Sequence, residues 1–201
     1  MALRKIRQYG DDILLKKAKP VKAFDSALHN LLDDMWETLW YYDGLGMAAP
    51  QVGILRRIVV IELEGEMFEM INPQITESSG SEVKTEACLS VPSKQGDVER
   101  PTFLRVEALD RFGELYEIET DDDMLTTAIC HEIDHLDGIL FIDKAAKIQD
   151  RPPDEEVRKA KRDRKINSDD KISNNDKIKR EKKPNNKIRV TKLNTAMAAG
   201  R

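Results

Sequence analysis

His131-Glu132-Ile133-Asp134-His135 lies in a segment whose apolar residues recur every three or four positions. That spacing is typical of a helix with one buried face, formed here by Leu125, Ile129, Ile133 and Leu136. Residues four apart on a helix share a face, so the two imidazoles can bind one cation together. The segment is therefore predicted to be a central metal-binding helix.

Glu132 lies about 100° round the helix from His131, so its carboxylate can approach a water beside the cation without taking a coordination position. A divalent cation lowers the pKa of a water that it binds to about 7, and a neighbouring carboxylate can accept the proton. These are the parts of a hydrolytic enzyme. The alternative is a helix whose His and Glu side chains simply face solvent, because five-residue matches of this kind also occur by chance.

A third metal ligand remains to be found, since catalytic zinc-type sites usually have three protein ligands and one open position. One class of metalloprotease places a further His after the pentad, but position 141 is Phe. Another class uses a downstream Glu, and the candidates Glu155 and Glu156 fall in a charged segment. Cys130 lies about 100° off the ligand face and is predicted to be a core residue. Cys88 is the remaining candidate, although a lone Cys in an extended segment is more often part of the core.

The other predicted elements are one further helix and two hairpins. The helix follows Asp25 and ends at Asp43-Gly44, because Gly is common just past a helix C-terminus. The strands are expected at 57–63, 67–71, 104–109 and 115–119. Mostly antiparallel strands and two helices indicate an α+β fold packed around the metal helix.

Charge is divided unevenly along the chain. Residues 151–201 hold 17 Lys or Arg and 8 Asp or Glu, a net charge of +9, whereas residues 1–150 carry −13. After residue 147 apolar residues are too sparse to offset the entropy of ordering the chain. We therefore expect a catalytic domain at 1–148 and a charged, net basic, disordered tail at 149–201.

Composition argues against several functional classes. The longest apolar runs, such as Ile58–Ile61, are too short to cross a bilayer, and no signal-peptide pattern follows the basic start. No membrane partner is expected, and a cytoplasmic location follows, in which the two cysteines stay unpaired. Aromatic residues make up 5% of the chain, too few to favour a stacking surface for single-stranded nucleic acid.

A glycine-rich stretch reads Gly44-Leu45-Gly46-Met47-Ala48-Ala49-Pro50-Gln51-Val52-Gly53 and is predicted to be a loop. Its glycines allow a peptide backbone to approach closely, and Gln51 can offer an amide N–H to an oxyanion. The alternative is a plain connection between a helix and a strand. Phosphate binding is poorly supported, because no Lys follows at the required position.

Three stretches of the chain together resemble the motifs of the peptide deformylase family: Gly44–Gln51, Glu86-Ala87-Cys88-Leu89-Ser90 and His131–His135. That family's motifs read Gly-x-Gly-x-Ala-Ala-x-Gln, Glu-Gly-Cys-Leu-Ser and His-Glu-x-x-His, in the same order. The likeness covers about residues 1–147, and three ordered motifs are far more specific than any one of them. Ala87 stands where the family usually has Gly, which leaves every ligand in place and can tighten the substrate groove.

The resemblance implies a metal site with a defined set of residues. Cys88, His131 and His135 would bind one divalent metal per chain, and Glu132 would act as general acid and base. Gln51 and the backbone N–H of Leu89 would hold the oxyanion that develops on the substrate.

The resemblance also implies the residues around the site. Gly44, Leu45 and Gly46 would bind the substrate, with Gly46 along its backbone and Leu45 beside an apolar pocket for a methionine side chain. Glu86 and Arg100 would hold the metal ligands in position without binding the metal themselves.

The family removes the formyl group from the N-terminal methionine of new polypeptides and releases formate. Its usual metal is Fe(II), with Ni, Co or Zn as substitutes, and the mixed thiolate and imidazole ligands suit any of these. The partners implied are nascent N-formylmethionyl peptides, and the ribosome through the basic tail, which some members use for docking. Two alternatives stay open: a catalytically silent metal-binding or ribosome-associated module, and a broad metalloprotease. Glu132 favours an enzyme, because a purely structural site does not need a carboxylate there.

Overall fold

The computed structural model describes residues 2–152 and 187–193. The helices in these ranges are α1 (Ser26–Tyr41), α2 (Asp123–Leu136) and α3 (Phe141–Lys144). The strands are β1 (Gly46–Ala48), β2 (Ile58–Leu63), β3 (Glu66–Ser79), β4 (Glu82–Cys88), β5 (Val91–Arg100), β6 (Phe103–Leu109), β7 (Leu115–Thr120), β8 (Lys147–Asp150) and β9 (Ile188–Lys192).

Two antiparallel sheets are built from these strands. One has six strands in the order β1-β2-β3-β6-β7-β9, and the other has three in the order β4-β5-β8. Three of the seven neighbouring pairs among the described strands, β2–β3, β4–β5 and β6–β7, are hairpins, because antiparallel strands can be joined by short turns. The turn between β2 and β3 has Glu64 and Gly65 in the left-handed region, at φ 52° and 82°.

The six-stranded sheet is covered by a helix on each face. β2 is buried on both sides, so its successive residues enter two different cores. Ile58 and Val60 pack in the core formed with α1, and Val59 and Ile61 pack in the core formed with α2. Since apolar residues of α2 are buried against this sheet, the orientation of the helix is fixed by packing.

The three-stranded sheet lies on the other side of α2 and has a smaller core. Cys88, Val91 and Val98 from β4 and β5 pack there with Phe141 of α3. The helix α2 is therefore central, between the two sheets. This confirms the predicted α+β fold with mostly antiparallel strands around the metal helix.

The boundary predicted at residue 148 falls inside β8, which pairs with β5. Part of the predicted tail is also ordered: β9 pairs antiparallel with β7 along the edge of the large sheet. The expectation of disorder is wrong for this strand, because Ile188 packs on the core and Lys192 reaches Glu114 at 2.8 Å. The rest of the predicted tail, 153–186 and 194–201, lies outside the described residues, and the division into domain and tail stays a prediction.

Among the helices of the described ranges, none has the length and hydropathy needed to cross a bilayer.

Candidate metal centre

The helix α2 holds His131, Glu132 and His135 in fixed positions. It begins after Asp122, whose carboxylate accepts the N–H groups of Met124 and Leu125 at 3.0 Å each. Such a cap satisfies backbone donors that have no partner within the helix. The rings of the two histidines are 5.0 Å apart, as expected for neighbours on one face. The helical prediction for this segment is therefore correct.

Gly138 ends this helical region in a conformation that only glycine adopts easily. Its φ is +75°, and a Cβ there would lie 2.6 Å from the carbonyl oxygen of Leu15. Because Gly138 has no Cβ, the chain between Asp11 and Ala18 can approach the end of α2. The N–H of Ala18 donates there to the carbonyl of Leu136 at 2.8 Å. Both ends of the helix are thus anchored.

Cys88 reaches the same point from β4. Its Sγ lies 3.1 Å from Nε2 of His135. One potential ligand atom from each of Cys88, His131 and His135 lies within 4.8 Å of the others, and all three residues are buried. Sequence alone left the third ligand open, and the structure brings Cys88 to the two histidines.

The donor set fits a single metal ion. Nδ1 of His131 is 2.7 Å from a carboxylate oxygen of Glu86, which leaves Nε2 for a cation. Within the described residues, buried Glu132 Oε2 and His135 Nδ1 have no hydrogen-bond partner. A buried carboxylate oxygen without a partner is costly and points to a polar group that it would contact.

Electrostatics at the site favour a thiolate ligand. Burial raises the pKa of Cys88, but the neighbouring His135 and His131 outweigh it and hold the pKa well below the usual value. The thiolate is the form that binds metals. Cys130 differs, because burial raises the pKa of its thiol to about 11, as suits the predicted core residue.

Glu132 sits in a different environment from the other carboxylates. Burial raises its pKa to about 7, and the opposing effect of the two histidines is smaller. A group with a pKa near neutrality can accept a proton and return it during one reaction.

Behind the ligands lies a buried chain of charges. Arg100, 4% exposed, donates from Nε to Glu86 at 2.5 Å and from Nη1 to Asp134 at 2.7 Å. Lys144 donates to the other oxygen of Asp134 at 2.7 Å. Burial raises the pKa of Glu86, but hydrogen bonds from His131 and Arg100 reverse this and lower it to about 2. Glu86 thus stays ionised and orients His131.

The predicted supporting pair, Glu86 and Arg100, is therefore in place, and sequence reasoning missed Asp134 and Lys144. Asp134 is buried although it is acidic and lies on a helix. Its position three residues after His131 was the available signal, because residues three apart share a helix face. No sequence pattern around Lys144 indicates its contact with Asp134.

The predicted glycine loop is partly ordered structure, with β1 followed by a 3-10 turn at Ala49–Val52. Gly46 lies against the catalytic candidate: a Cβ there would be 2.8 Å from Oε1 and 3.1 Å from Cγ of Glu132. Gly44 is also confined, since its Cβ would meet Leu39 Cδ1 at 2.6 Å. A side chain at either position would therefore require Leu39 or Glu132 to shift.

Gln51 lies beside the ligand Cys88. Its side-chain oxygen accepts the N–H of Ala48 at 2.8 Å, and its Nε2 donates to Cys88 Sγ at 3.4 Å and to Ser90 Oγ at 3.2 Å. Both N–H groups of this amide are therefore engaged beside the metal centre, and the oxyanion role of Gln51 stays a prediction.

One cavity of about 560 Å³ opens onto this centre. Its lining includes the predicted substrate-binding residues Gly44, Leu45 and Gly46, the predicted oxyanion donors Gln51 and Leu89, and Glu132. Ala87 is exposed and also lines the cavity, alternating along β4 with Glu86 and Cys88. The cavity thus gathers the three sequence motifs, which lie far apart in the chain.

Comparisons with known proteins agree on one family. The model of the polypeptide deformylase family matches residues 3–151. Peptide deformylase 1 of Clostridium acetobutylicum is 52% identical over 147 residues, covering 73% of this chain and 97% of that protein. The peptide deformylase of Caldicellulosiruptor bescii is 53% identical over 147 residues, covering 73% of this chain and 88% of that protein.

Solved structures are similar as well. The crystal structure of peptide deformylase from Thermotoga maritima has a TM-score of 0.71 at 38% identity, covering 73% of this chain and 100% of that one. The Met-Ala-Ser-bound structure of class I type b peptide deformylase from Acinetobacter baumannii has a TM-score of 0.67 at 33% identity, covering 71% and 98%.

Proposed function

The chain belongs to the polypeptide deformylase family, a family of enzymes that remove the N-formyl group from new polypeptides, and we propose that it does so with Glu132 beside a metal held by Cys88, His131 and His135. The observation that carries the assignment of residues is the convergence of one thiol and two imidazoles within 4.8 Å, with a buried carboxylate beside them. A structural metal site would not need that carboxylate.

The metal that we propose is Fe(II), one ion per chain, with Zn, Ni and Co as substitutes that the same ligands accept. When bound, a divalent cation supplies Lewis acidity, which acidifies water and polarises a carbonyl oxygen. Cys88 supplies the anionic ligand, and Glu86 holds His131 in the tautomer that leaves Nε2 for the cation.

Glu132 carries the proton transfers. It takes a proton from the attacking water as the new C–O bond forms at the formyl carbon. It then delivers that proton to the amide nitrogen as the C–N bond breaks, so the products are formate and a free N-terminal amine. Burial raises the pKa of Glu132, which suits a group that must both accept and return a proton.

Gln51 and Leu89 stabilise the negative charge that develops on the formyl oxygen. Nε2 of Gln51 donates to Cys88 Sγ at 3.4 Å and to Ser90 Oγ at 3.2 Å, so one of these two N–H groups would turn to the oxyanion. We assign the second donor to the backbone N–H of Leu89, which lines the same cavity. Fixed donors of this kind stabilise a transition state without reorganising.

Gly44, Leu45 and Gly46 hold the substrate in this proposal. The lack of a side chain at Gly46 brings the backbone close to Glu132, and a bound peptide would lie along the same edge. Binding of a short methionyl peptide is supported by the similar protein from Acinetobacter baumannii, which is described with Met-Ala-Ser bound.

Formate release from formyl-Met-Ala-Ser by anaerobically purified protein tests the function. One formate and one free amine should appear per peptide, and acetyl-Met-Ala-Ser, which carries a methyl at the attacked carbon, should react far more slowly. Cleavage at an internal peptide bond would support a metalloprotease instead, and metal binding without formate release would support a silent module.

We further propose a cytoplasmic location and contact between the basic tail and the ribosome. The net charge of +9 over residues 151–201 favours attraction to phosphate backbones that weakens with salt. The strand β9 limits how much of that charge is available, because Arg189 and Lys192 already face Glu119 and Glu114. The remaining Lys and Arg lie largely between residues 158 and 183.

Ribosome co-sedimentation at low salt tests the tail proposal. Replacing Lys177, Lys179, Lys182 and Lys183 by Gln keeps β9 and should weaken co-sedimentation while formyl-peptide hydrolysis stays unchanged. Truncation after Pro152 should do the same, and it retains Arg151, which lines the cavity. Undiminished co-sedimentation of both proteins would refute ribosome contact through the tail.

A further inference from the structure

The cavity continues beyond the metal ligands as a groove between β4 and α2. Every second residue of β4 from Lys84 to Cys88 faces the same side of the strand. These three residues, Lys84, Glu86 and Cys88, line the cavity. On α2, Asp123, Thr127 and His131 are spaced four apart and line it from the other side. The groove therefore has the ligands at one end.

The opposite end is closed by an ion pair. Lys84 is about 13 Å along the strand from Cys88, and Asp123 is about 12 Å along the helix from His131. The ammonium of Lys84 lies 3.1 Å from Asp123 and 2.8 Å from Glu82. Its side chain is 19% exposed although both carboxylates are more than half exposed. The lysine thus crosses from the strand to the helix.

Polar groups between the two ends are already engaged. Both oxygens of Glu86 accept bonds from Arg100, and one of them also faces His131. The hydroxyl of Thr127 donates to the carbonyl of Asp123 at 2.8 Å. An ammonium has three N–H donors, and the ion pairs of Lys84 account for two. The third N–H remains for a group inside the groove.

We propose that Lys84 is a specificity-determining residue at the end of the substrate side-chain pocket. It would admit first residues whose side chain has the length of methionine and ends in a hydrogen-bond acceptor, with methionine sulfoxide as the representative. This rests on the proposed function, which places the formyl carbon at the ligand end. An extended methionine side chain ends roughly 8 Å from that carbon, from covalent bond lengths, so a side chain that runs along this groove extends toward the end that Lys84 lines.

The test compares kcat/KM for three peptides: formyl-Met-Ala-Ser, its methionine sulfoxide form, and its norleucine form. The variants are Lys84→Met, Lys84→Arg and the control Lys94→Met. Lys94 is also ion-paired, at 2.6 Å from Asp150, but lies on β5 outside the described lining of the cavity. If Lys84→Met does not fold, Lys84→Leu, which also lacks a donor, replaces it with the same expectation.

Lys84→Met should lower the ratio of sulfoxide to norleucine kcat/KM about tenfold, as expected for one charge-assisted hydrogen bond, and mainly through KM. Lys84→Arg should keep most of the ratio, because it keeps the donors, and Lys94→Met should not change it. Calorimetric binding of Met-Ala-Ser and its sulfoxide form, without the formyl group, should show the same order of affinities.

Two failures are distinguishable. Wild-type protein that releases no formate from formyl-Met-Ala-Ser overturns the proposed function and this inference with it. Wild-type activity combined with an unchanged ratio in Lys84→Met, or with an equal change in Lys94→Met, overturns the role of Lys84 alone.

Discussion

Replacing Arg100 by Met should strongly destabilise the fold, because the guanidinium is the centre of the buried charge chain. Arg100 is 4% exposed and bonds Glu86 on one side and Asp134 on the other. Removing one partner of a buried ion pair typically costs about 3–5 kcal/mol, since the remaining charge is left uncompensated. In the variant, Glu86 still has its hydrogen bond with His131, and Asp134 still has its hydrogen bond with Lys144. We therefore expect a loss at the lower end of that range.

Urea unfolding measures this loss. At a slope of about 2 kcal/mol/M, a loss of about 3 kcal/mol lowers the unfolding midpoint by ~1.5 M. The measurement is made on nickel-loaded protein at a fixed nickel excess and again after EDTA treatment, because bound metal adds its own stabilisation. Metal affinity should also fall, by about 10- to 100-fold, as Glu86 holds His131 less firmly.

Arg105→Met is the matched control. Arg105 also pairs with several carboxylates, among them Glu119 at 2.9 Å, but its side chain is 35% exposed. Its midpoint shift should be much smaller, because exposed ion pairs are screened by solvent. A double variant with Glu86→Gln should recover part of the loss in Arg100→Met, since it removes an uncompensated charge. A midpoint for Arg100→Met that moves no further than that of Arg105→Met would refute the assigned role of the network.

Three further changes probe the site. Cys88→Ser should lose or weaken the metal, because a hydroxyl is a poor ligand, and metal analysis that finds full occupancy would remove Cys88 from the site. Gly46→Ala should keep the metal but lower kcat by roughly 10- to 100-fold, since its Cβ would lie 2.8 Å from Glu132 Oε1 and displace the carboxylate; an unchanged kcat would show that this position of Glu132 is not required. If iron is native, activity should fade in air as Fe(II) and the Cys88 thiolate oxidise while the nickel form lasts longer, and equal lifetimes would argue against iron.

Local chemistry made the metal helix predictable. The apolar spacing predicts its buried face, and in the structure Asp122 caps its start and Gly138 follows its end. The first helix, ending at Tyr41, and the β2–β3 and β6–β7 hairpins followed from the same kinds of signal. In these segments local preference and tertiary packing agree.

Strands with polar or broken patterns could not be predicted in full. β3 runs from Glu66 to Ser79, but Asn72-Pro73 interrupts it, and register shifts against β6 follow from there. Proline cannot donate to the ladder and so argues against a continuous strand. β5 contains Pro92 and Gly96 and is polar along much of its length. Its pairing with β4 and β8 is what makes it a strand.

The third ligand depended on contacts that sequence alone does not contain. Cys88 and His135 are 47 positions apart, and only the packing of β4 beside α2 brings Sγ within 3.1 Å of Nε2. Spacing predicted two ligands on one helix, and the family resemblance supplied the third. Asp134 and Lys144 were missed for the same reason, since their roles exist only through Arg100 and the fold around it.

In the proposed mechanism, Glu132 performs the proton transfers beside a metal that it does not bind. Glu132→Ala, loaded with nickel, is compared with wild type for metal content and for formate release from formyl-Met-Ala-Ser. We expect one metal per chain in both proteins and a fall in kcat of about 10²- to 10⁴-fold, the range typical of losing a general acid–base group. Near-normal turnover by Glu132→Ala at full metal occupancy would contradict the proposed mechanism.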